Sequence, residues 1–238
     1  MLKIKPVSAE RLPELLRLMP KAELHMHVEG SLEPELMFAL AQRNGMATAY
    51  PDVESLRRAY VFGDLQSVLD IYHAGTLVLR TEQDFYDMTR AYLVRAASDN
   101  ALHAEIFFDT QTHTGHGLSV DLVINGLHRA CLDARDELGI SAGLILCFLR
   151  HLSEQEAFAA LEQALPHRDK LVGVGLASSE MAIRLRSLLA SLPGLVGWAC
   201  GWSPMRGRRG HRLTSGARLM CSRSSALIMA CKPSKTDY

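Results

Sequence analysis

The chain has 238 residues, 48% of them hydrophobic, which suffices for one large domain or two small ones with a sizeable core. No apolar run approaches a membrane span, Lys3 and Lys5 lead into an amphipathic stretch rather than a signal peptide, and the five cysteines lack paired spacing, so a reducing, cytoplasmic location is expected. The net charge is zero, but residues 1–181 hold 16 Lys+Arg against 25 Asp+Glu while residues 182–238 hold 10 against one, Asp237.

In chain order, a first helical pattern covers 8–18, and the run PKAELHMHVEGSLEPEL follows at 20–36. Residues 22–28 read as a short strand, and on a strand the side chains of His25 and His27 share a face, so both can reach one cation. Gly30 ends that strand, Ser31 is placed to cap a helix over 32–44, Pro34 is tolerated in the first helical turn, and Gly45 stops the helix. A His-x-His at the C-terminal end of a strand, followed by a helix, is how a (β/α) barrel presents metal ligands. The spacing alone fits two ordinary surface histidines equally well.

Helical patterns continue over 53–60, 64–78 and 81–99. A strand at 103–108 ends in Asp109, a helix covers 119–138, a strand 141–148, a helix 153–164 and a fourth strand 170–176. This alternation predicts an α/β fold with a parallel sheet, and four such units make half of an eight-stranded barrel. No internal repeat or low-complexity linker precedes residue 181.

Several segments carry a family resemblance. LPKAELHMHVEGSLEPELMFALAQRNG and GVGLASSE (173–180) resemble the adenosine/adenine deaminase family of metal-dependent hydrolases, and EIFFDTQTHT (105–114) and ILCFLRHLSEQEAF (145–158) resemble its adenine-acting branch in particular. The resemblance covers residues 10–181. It implies a (β/α)8 TIM barrel with one catalytic Zn2+ per subunit, and a small-molecule purine, adenine, as substrate. The implied reaction is hydrolysis of adenine to hypoxanthine and ammonia in purine salvage, with adenosine deamination as the alternative. No nucleic acid or membrane partner is expected, and the oligomeric state is left open.

By resemblance His25 and His27 are two metal ligands. The family takes a third histidine from strand five and an aspartate from strand eight, with a glutamate after the strand-five histidine as proton donor and a further histidine handling the water. Neutral imidazole and carboxylate donors, with one position left for water, are what a catalytic zinc requires. By the same resemblance His27, Ser178, Phe62 and Leu65 line the purine site; for Phe62 and Leu65, core packing is equally expected.

The family pattern stops at Met181. Beyond it the motifs GNPPEKF, LRLVAHAGEEG and ERIDHG are absent, and the only later histidine is His211. Read one base out of step, however, codons allowed from Ala182 onward give Gly-Asn-Pro-Pro-Glu-Lys. Gly201 to Gly210 give Leu-Val-Ala-His-Ala-Gly-Glu-Glu-Gly, with the histidine read across Pro204 and Met205. Ser225 to Ala230 give Arg-Ile-Asp-His-Gly, with the histidine across Ile228 and Met229. Three motifs in order, without a stop, indicate a one-base frameshift directly after Met181. Residues 1–181 are thus expected to form the N-terminal half of a deaminase barrel, and 182–238 an out-of-frame tail with no domain.

No catalytic residue is then intact, and the chain as written is expected to be inactive, a non-catalytic fragment or pseudogene product. A basic tail that binds nucleic acid lacks any known module, and a Cys/His metal tail from Cys200, His211, Cys221 and Cys231 fails on spacing. His103, His128, His151 and His167 read as core or helix-surface residues, His116 as a loop residue, and His113 as matching a family position near the pocket. Leu102, Thr110 and Ala177 depart from the adenine-branch pattern; Ala177 is what adenosine-type chains carry.

Overall fold

The computed structural model describes residues 8–60, 65–178, 218–221 and 227–230. Four parallel strands run side by side in chain order, β1 (Lys21–His27), β2 (Ala101–Asp109), β3 (Ser141–Leu149) and β4 (Leu171–Ala177). Helix α1 (Leu12–Leu18) precedes β1. Between β1 and β2 lie α2 (Pro34–Arg43), α3 (Val53–Ala59), α4 (Leu65–Leu77) and α5 (Glu82–Ser98). A short α6 (Gln111–Gly115) and the long α7 (Val120–Leu138) connect β2 to β3, and α8 (Glu154–Ala164) connects β3 to β4. This is the α/β half barrel that the alternation of patterns predicts.

Alternation along the strands sorts residues between two faces. Ala104, Ile106 and Phe108 of β2 and Leu144, Leu146 and Phe148 of β3 pack into the large core that the helices cover. Their neighbours Phe107, Ile145 and Cys147 form a separate small cluster on the other face, with Ala177 against it. The β2–β3 ladder runs in register from His103–Ser141 to Asp109–Cys147. The β1–β2 ladder is less regular: between Glu23–Ala104 and Met26–Ile106 two residues of β1, Leu24 and His25, stand opposite one of β2, a bulge beside the paired histidines.

Helix starts follow local chemistry. Thr81 with Asp84 and Ser153 with Glu156 make capping boxes for α5 and α8, and the Ser119 and Asp52 side chains accept the Leu122 and Ser55 amides at the starts of α7 and α3. Ser31 does not cap α2, as the sequence suggested. Residues Val28–Ser31 form a tight 3-10 turn in which the Ser31 hydroxyl donates to the Val28 carbonyl at 2.7 Å, and α2 starts three residues later, at Pro34. The hydroxyl finds a nearer acceptor behind it, a common alternative to capping.

Two further strands, β5 (Arg218–Cys221) and β6 (Leu227–Ala230), form an antiparallel pair, and β6 lies antiparallel beside β4 at two positions, Gly173–Ala230 and Val174–Met229. β6 thereby covers part of the outer edge of β4. An uncapped edge offers unpaired amides and carbonyls to any segment able to extend. Met181, where the charge pattern breaks, lies outside the described residues. Among the described residues no helix is long and apolar enough to cross a membrane.

Two features of the helical layer are testable. A Cβ on Gly126 of α7 would stand 2.4 Å from the Glu82 carbonyl oxygen and 2.8 Å from Phe85 Cβ of α5, so only glycine lets these helices approach. Gly126→Ala should cost about 1–3 kcal/mol in urea unfolding, because backbone cannot yield as a flexible side chain does. The fully buried Asp84 accepts the Arg80 and Thr81 amides (2.8 and 2.7 Å) and the Asn44 amide (2.9 Å), and pairs with Arg43. Burial pushes its carboxyl up, but these donors outweigh burial and hold it below the ordinary 3.8. Asp84 should therefore contribute its full stabilisation above pH 3.8 and lose it as the pH falls toward the lowered folded value, a loss absent from Asp84→Ala in unfolding followed against pH.

Candidate active site

The C-terminal ends of β1 to β4 converge on one end of the sheet. His25 and His27 stand at the end of β1 with ring centroids 5.5 Å apart, both against the Phe107 ring of β2 (4.6 and 5.4 Å). The strand spacing thus places both imidazoles on the barrel-interior face, as expected. His25 is exposed and His27 half-buried. Burial, with the neighbouring His25 adding to it, pushes the His27 pKa down to about 4, although Asp109 pulls the other way. His27 is therefore a neutral imidazole at neutral pH, the form that binds metal.

Beside the pair lies a buried polar cluster. Glu29, two residues beyond His27, is 3% exposed, and its Oε1 accepts the Asp109 amide at 3.3 Å. Asp109 ends β2 and accepts the Thr112 amide at 2.8 Å; the Tyr72 hydroxyl of α4 lies 3.4 Å from its Oδ2, long for a hydrogen bond. Burial first, and the Glu29 carboxylate second, push the Asp109 carboxyl up. Burial, with Glu29 and Asp109 beyond it, pushes the Tyr72 hydroxyl well above its usual value. His113 of α6 is 1% exposed, sits edge-on to the Phe85 ring at 4.7 Å, and brings Nε2 to 3.5 Å from Glu29 Oε1. At that distance neither ring nitrogen of His113 makes a hydrogen bond, and Glu29 Oε2 makes none either.

The remaining strand ends are tied to each other. Gln111 Oε1 accepts the Leu149 amide at 2.8 Å, joining β2 to β3, and the Arg150 amide donates to the Ala177 carbonyl at 3.0 Å, joining β3 to β4. Ser178, just past β4, has φ +77 and shares a hydrogen bond of 2.9 Å with His151 Nδ1. A cleft of about 570 Å³ opens at the α6–α8 side of this end, lined by His73, Gln111, His116, His151 and Glu156 among others.

The sequence-derived residues are placed unevenly. His25 and His27 come together; Ser178 stands at the same end of the sheet, on the fourth strand. Leu65 opens α4, and Phe62 lies outside the described residues. Among the histidines read as structural, His103 bonds Ser141 at 2.8 Å, and His167 bridges Asp121 (2.6 Å) and Lys170 (3.0 Å). Sequence reasoning passed over Glu29 and Tyr72, and took Asp109 only as a strand end. The signal for the carboxylates was the spacing that found the histidines: Glu29 continues His25-x-His27 by two residues, and Asp109 stands two beyond Phe107.

Two donors of the kind a zinc ion takes stand together here. Two imidazoles share one face, yet among the described residues no group of three or more His, Cys, Asp or Glu side chains is placed to hold a metal ion. A catalytic zinc takes three protein ligands and an open position.

Four parallel strands with helices on the outer face and paired histidines at the end of the first define a partial (β/α) barrel. The adenosine deaminase family model matches residues 20–190, and the chain belongs to that family. It is 81% identical to an adenine deaminase of Albidiferax ferrireducens over 178 residues, 75% of this chain and 52% of the relative. The crystal structure of an adenine deaminase from Arthrobacter aurescens matches at 50% identity and a TM-score of 0.65, covering 68% of this chain and 49% of that one. An amidohydrolase from Burkhoderia ambifaria with bound Zn matches at 26% identity and a TM-score of 0.67, covering 80% and 52%. The chain spans about half the length of the curated relatives it matches.

Ser178 gives this end of the sheet a simple test. Its φ lies in the left-handed region, where a β-branched side chain is strained by roughly 1–2 kcal/mol. Ser178→Val should lower unfolding stability by about that amount. Ser178→Gly, which loses one hydrogen bond and relieves the backbone, should stay within about 1 kcal/mol of the parent.

Proposed function

We propose that this chain is the N-terminal half of a zinc-dependent adenine deaminase and is inactive as it stands. The observation that carries the reading is the pairing of His25 and His27 over Phe107 at the end of the first strand, in a chain whose relatives include adenine deaminases at up to 81% identity. His25 and His27 would hold the zinc, and the burial that keeps His27 unprotonated suits that role. A zinc ion there would supply a water of lowered pKa for hydrolysis of the purine 6-amino group. The chain's own part is to hold two of the donors on a rigid strand and, through Asp109, Glu29 and Tyr72, to set the charge beside them.

Ser178, with Phe62 and Leu65, is assigned to the purine pocket by its place in the sequence pattern, and His27 doubles as a wall of that pocket. The missing donors follow from the reading frame. We take residues 1–181 as the deaminase portion and 182–238 as translated out of frame after Met181. The sharp change of charge at that point and the three motifs legible one base away support this. Cysteines without paired spacing suit a cytoplasmic location, in purine salvage.

Two measurements test the reading. The 238-residue chain, loaded with zinc, should show no adenine turnover above background. Restoring one base after Met181 should give a chain that releases ammonia from adenine, and that prefers adenine to adenosine. A frame-restored chain that binds zinc and turns over neither purine would sink the proposal. In that restored chain His25→Ala or His27→Ala should abolish turnover and stoichiometric zinc together, since losing one donor from a closed ligand set costs both.

A further inference from the structure

We infer that Lys170 is an acylation site with its own proton acceptor: His167 is placed to take a proton from the Lys170 nitrogen, and Asp121 holds that histidine in place. The group lies at the start of β4, away from the strand ends that carry His25 and His27. His167 and Lys170 sit one turn apart on the 3-10 helix Leu165–Lys170, and Asp121 and Asn125 one turn apart on α7. Lys170 Nζ lies 3.0 Å from His167 Nδ1 and 2.6 Å from Asn125 Oδ1, and His167 Nε2 lies 2.6 Å from Asp121 Oδ1.

The positions of the protons follow from what each group can give. A lysine ammonium only donates, so His167 Nδ1 accepts, and the ring proton sits on Nε2 and is donated to Asp121. His167 is 8% exposed, so packing and two hydrogen bonds fix its ring, while Lys170 is half-buried and reachable. A nucleophile within hydrogen-bond reach of a base, with the base oriented by a third group, is the arrangement that activates a side chain for covalent attack. The deaminase reading makes no use of it.

The reactant is an activated acyl group, as a thioester or an acyl phosphate carries. The Lys170 ammonium loses one proton to water, and the freed electron pair attacks the acyl carbon. The nitrogen's second proton passes to His167 Nδ1 and on to solvent, and the thiolate or phosphate leaves with the electron pair of its broken bond. One amide bond forms and one thioester or acyl phosphate bond breaks. Without a base the adduct keeps that second proton and expels the amine again. The finished amide retains a single N–H, so it cannot bond Asn125 and His167 together, and the tie between α7 and the start of β4 is loosened.

An internal control is present. Lys21 is the other lysine among the described residues and is likewise half-buried. Its ammonium donates to the carbonyls of Asp99 (2.8 Å), Met19 (3.0 Å) and Arg17 (3.5 Å), none of which takes up a proton.

The test exposes the 238-residue chain separately to acetyl phosphate and to acetyl coenzyme A at fixed pH and follows each lysine by peptide mass spectrometry. Lys170 is expected to react at least about fivefold faster than Lys21 with one donor or both, and the pattern tells which leaving group the site admits. His167→Gln should slow Lys170 about tenfold and Asp121→Asn about threefold, with Lys21 unchanged in each. Asp121 has a side chain 69% exposed, so its variant keeps the test decisive should His167→Gln fail to fold by circular dichroism. Equal rates at the two lysines with both donors would overturn the inference. So would a Lys170 rate that holds or rises in the folded variants, since a network that only ties the lysine down protects it, and cutting the tie speeds its reaction.

Discussion

The register of β2 against β3 is the constraint on which the rest depends. From His103–Ser141 to Asp109–Cys147 the two strands run without a slip. A one-residue shift would exchange every side chain between faces. The present register sends Ile106, Phe108, Leu144, Leu146 and Phe148 into the helical core, and Phe107, Asp109, Ile145 and Cys147 to the other side. The histidines of β1 meet Phe107 only because of that choice, and the Asp109 amide reaches Glu29 only because β2 ends level with the turn after β1.

This ordering explains why polar groups concentrate where the apolar strands end. Glu29, Asp109, Gln111 and His113 are all buried beside the ends of the first two strands. Buried carboxyls without full complements of donors are costly. Here Asp109 answers by a raised pKa, and Glu29 leaves one oxygen without a hydrogen bond. Such a departure from a satisfied core is characteristic of a site kept for chemistry. The helical layer shows the opposite economy, with Asp84 fully buried and four different residues bonded to it.

Much of this architecture was legible in the sequence. The strands at 103–108, 141–148 and 170–176 and the helices at 81–99, 119–138 and 153–164 fall within about two residues of the observed elements, because period and capping agree there. The His25-x-His27 pair was legible because alternation on a strand is strict. Ser31 was misjudged because a hydroxyl near a helix start has two acceptable partners, and only the tight turn at Val28–Ser31 decides between them. Tyr72 escaped notice because its approach to Asp109 joins α4 to β2 across 37 residues, and nothing local in either segment signals it. The β6 contact on β4 escaped because it depends on an edge having no better partner.

Fold and site differ in how much of a barrel each draws on. Each βα unit packs chiefly against its neighbour: α5 on α7, α7 on β3, strand on next strand. The outer core is therefore built from local pieces. A metal site at a barrel mouth draws donors from strands spread around the ring, so its completeness depends on closure rather than on any one unit. His25 and His27 stand well placed on a sheet that is ordered around them, while among the described residues the ligand set remains short of three. The bulge in β1 at Leu24 and His25 lies beside the second of these donors, so the ladder with β2 yields locally where the site is built.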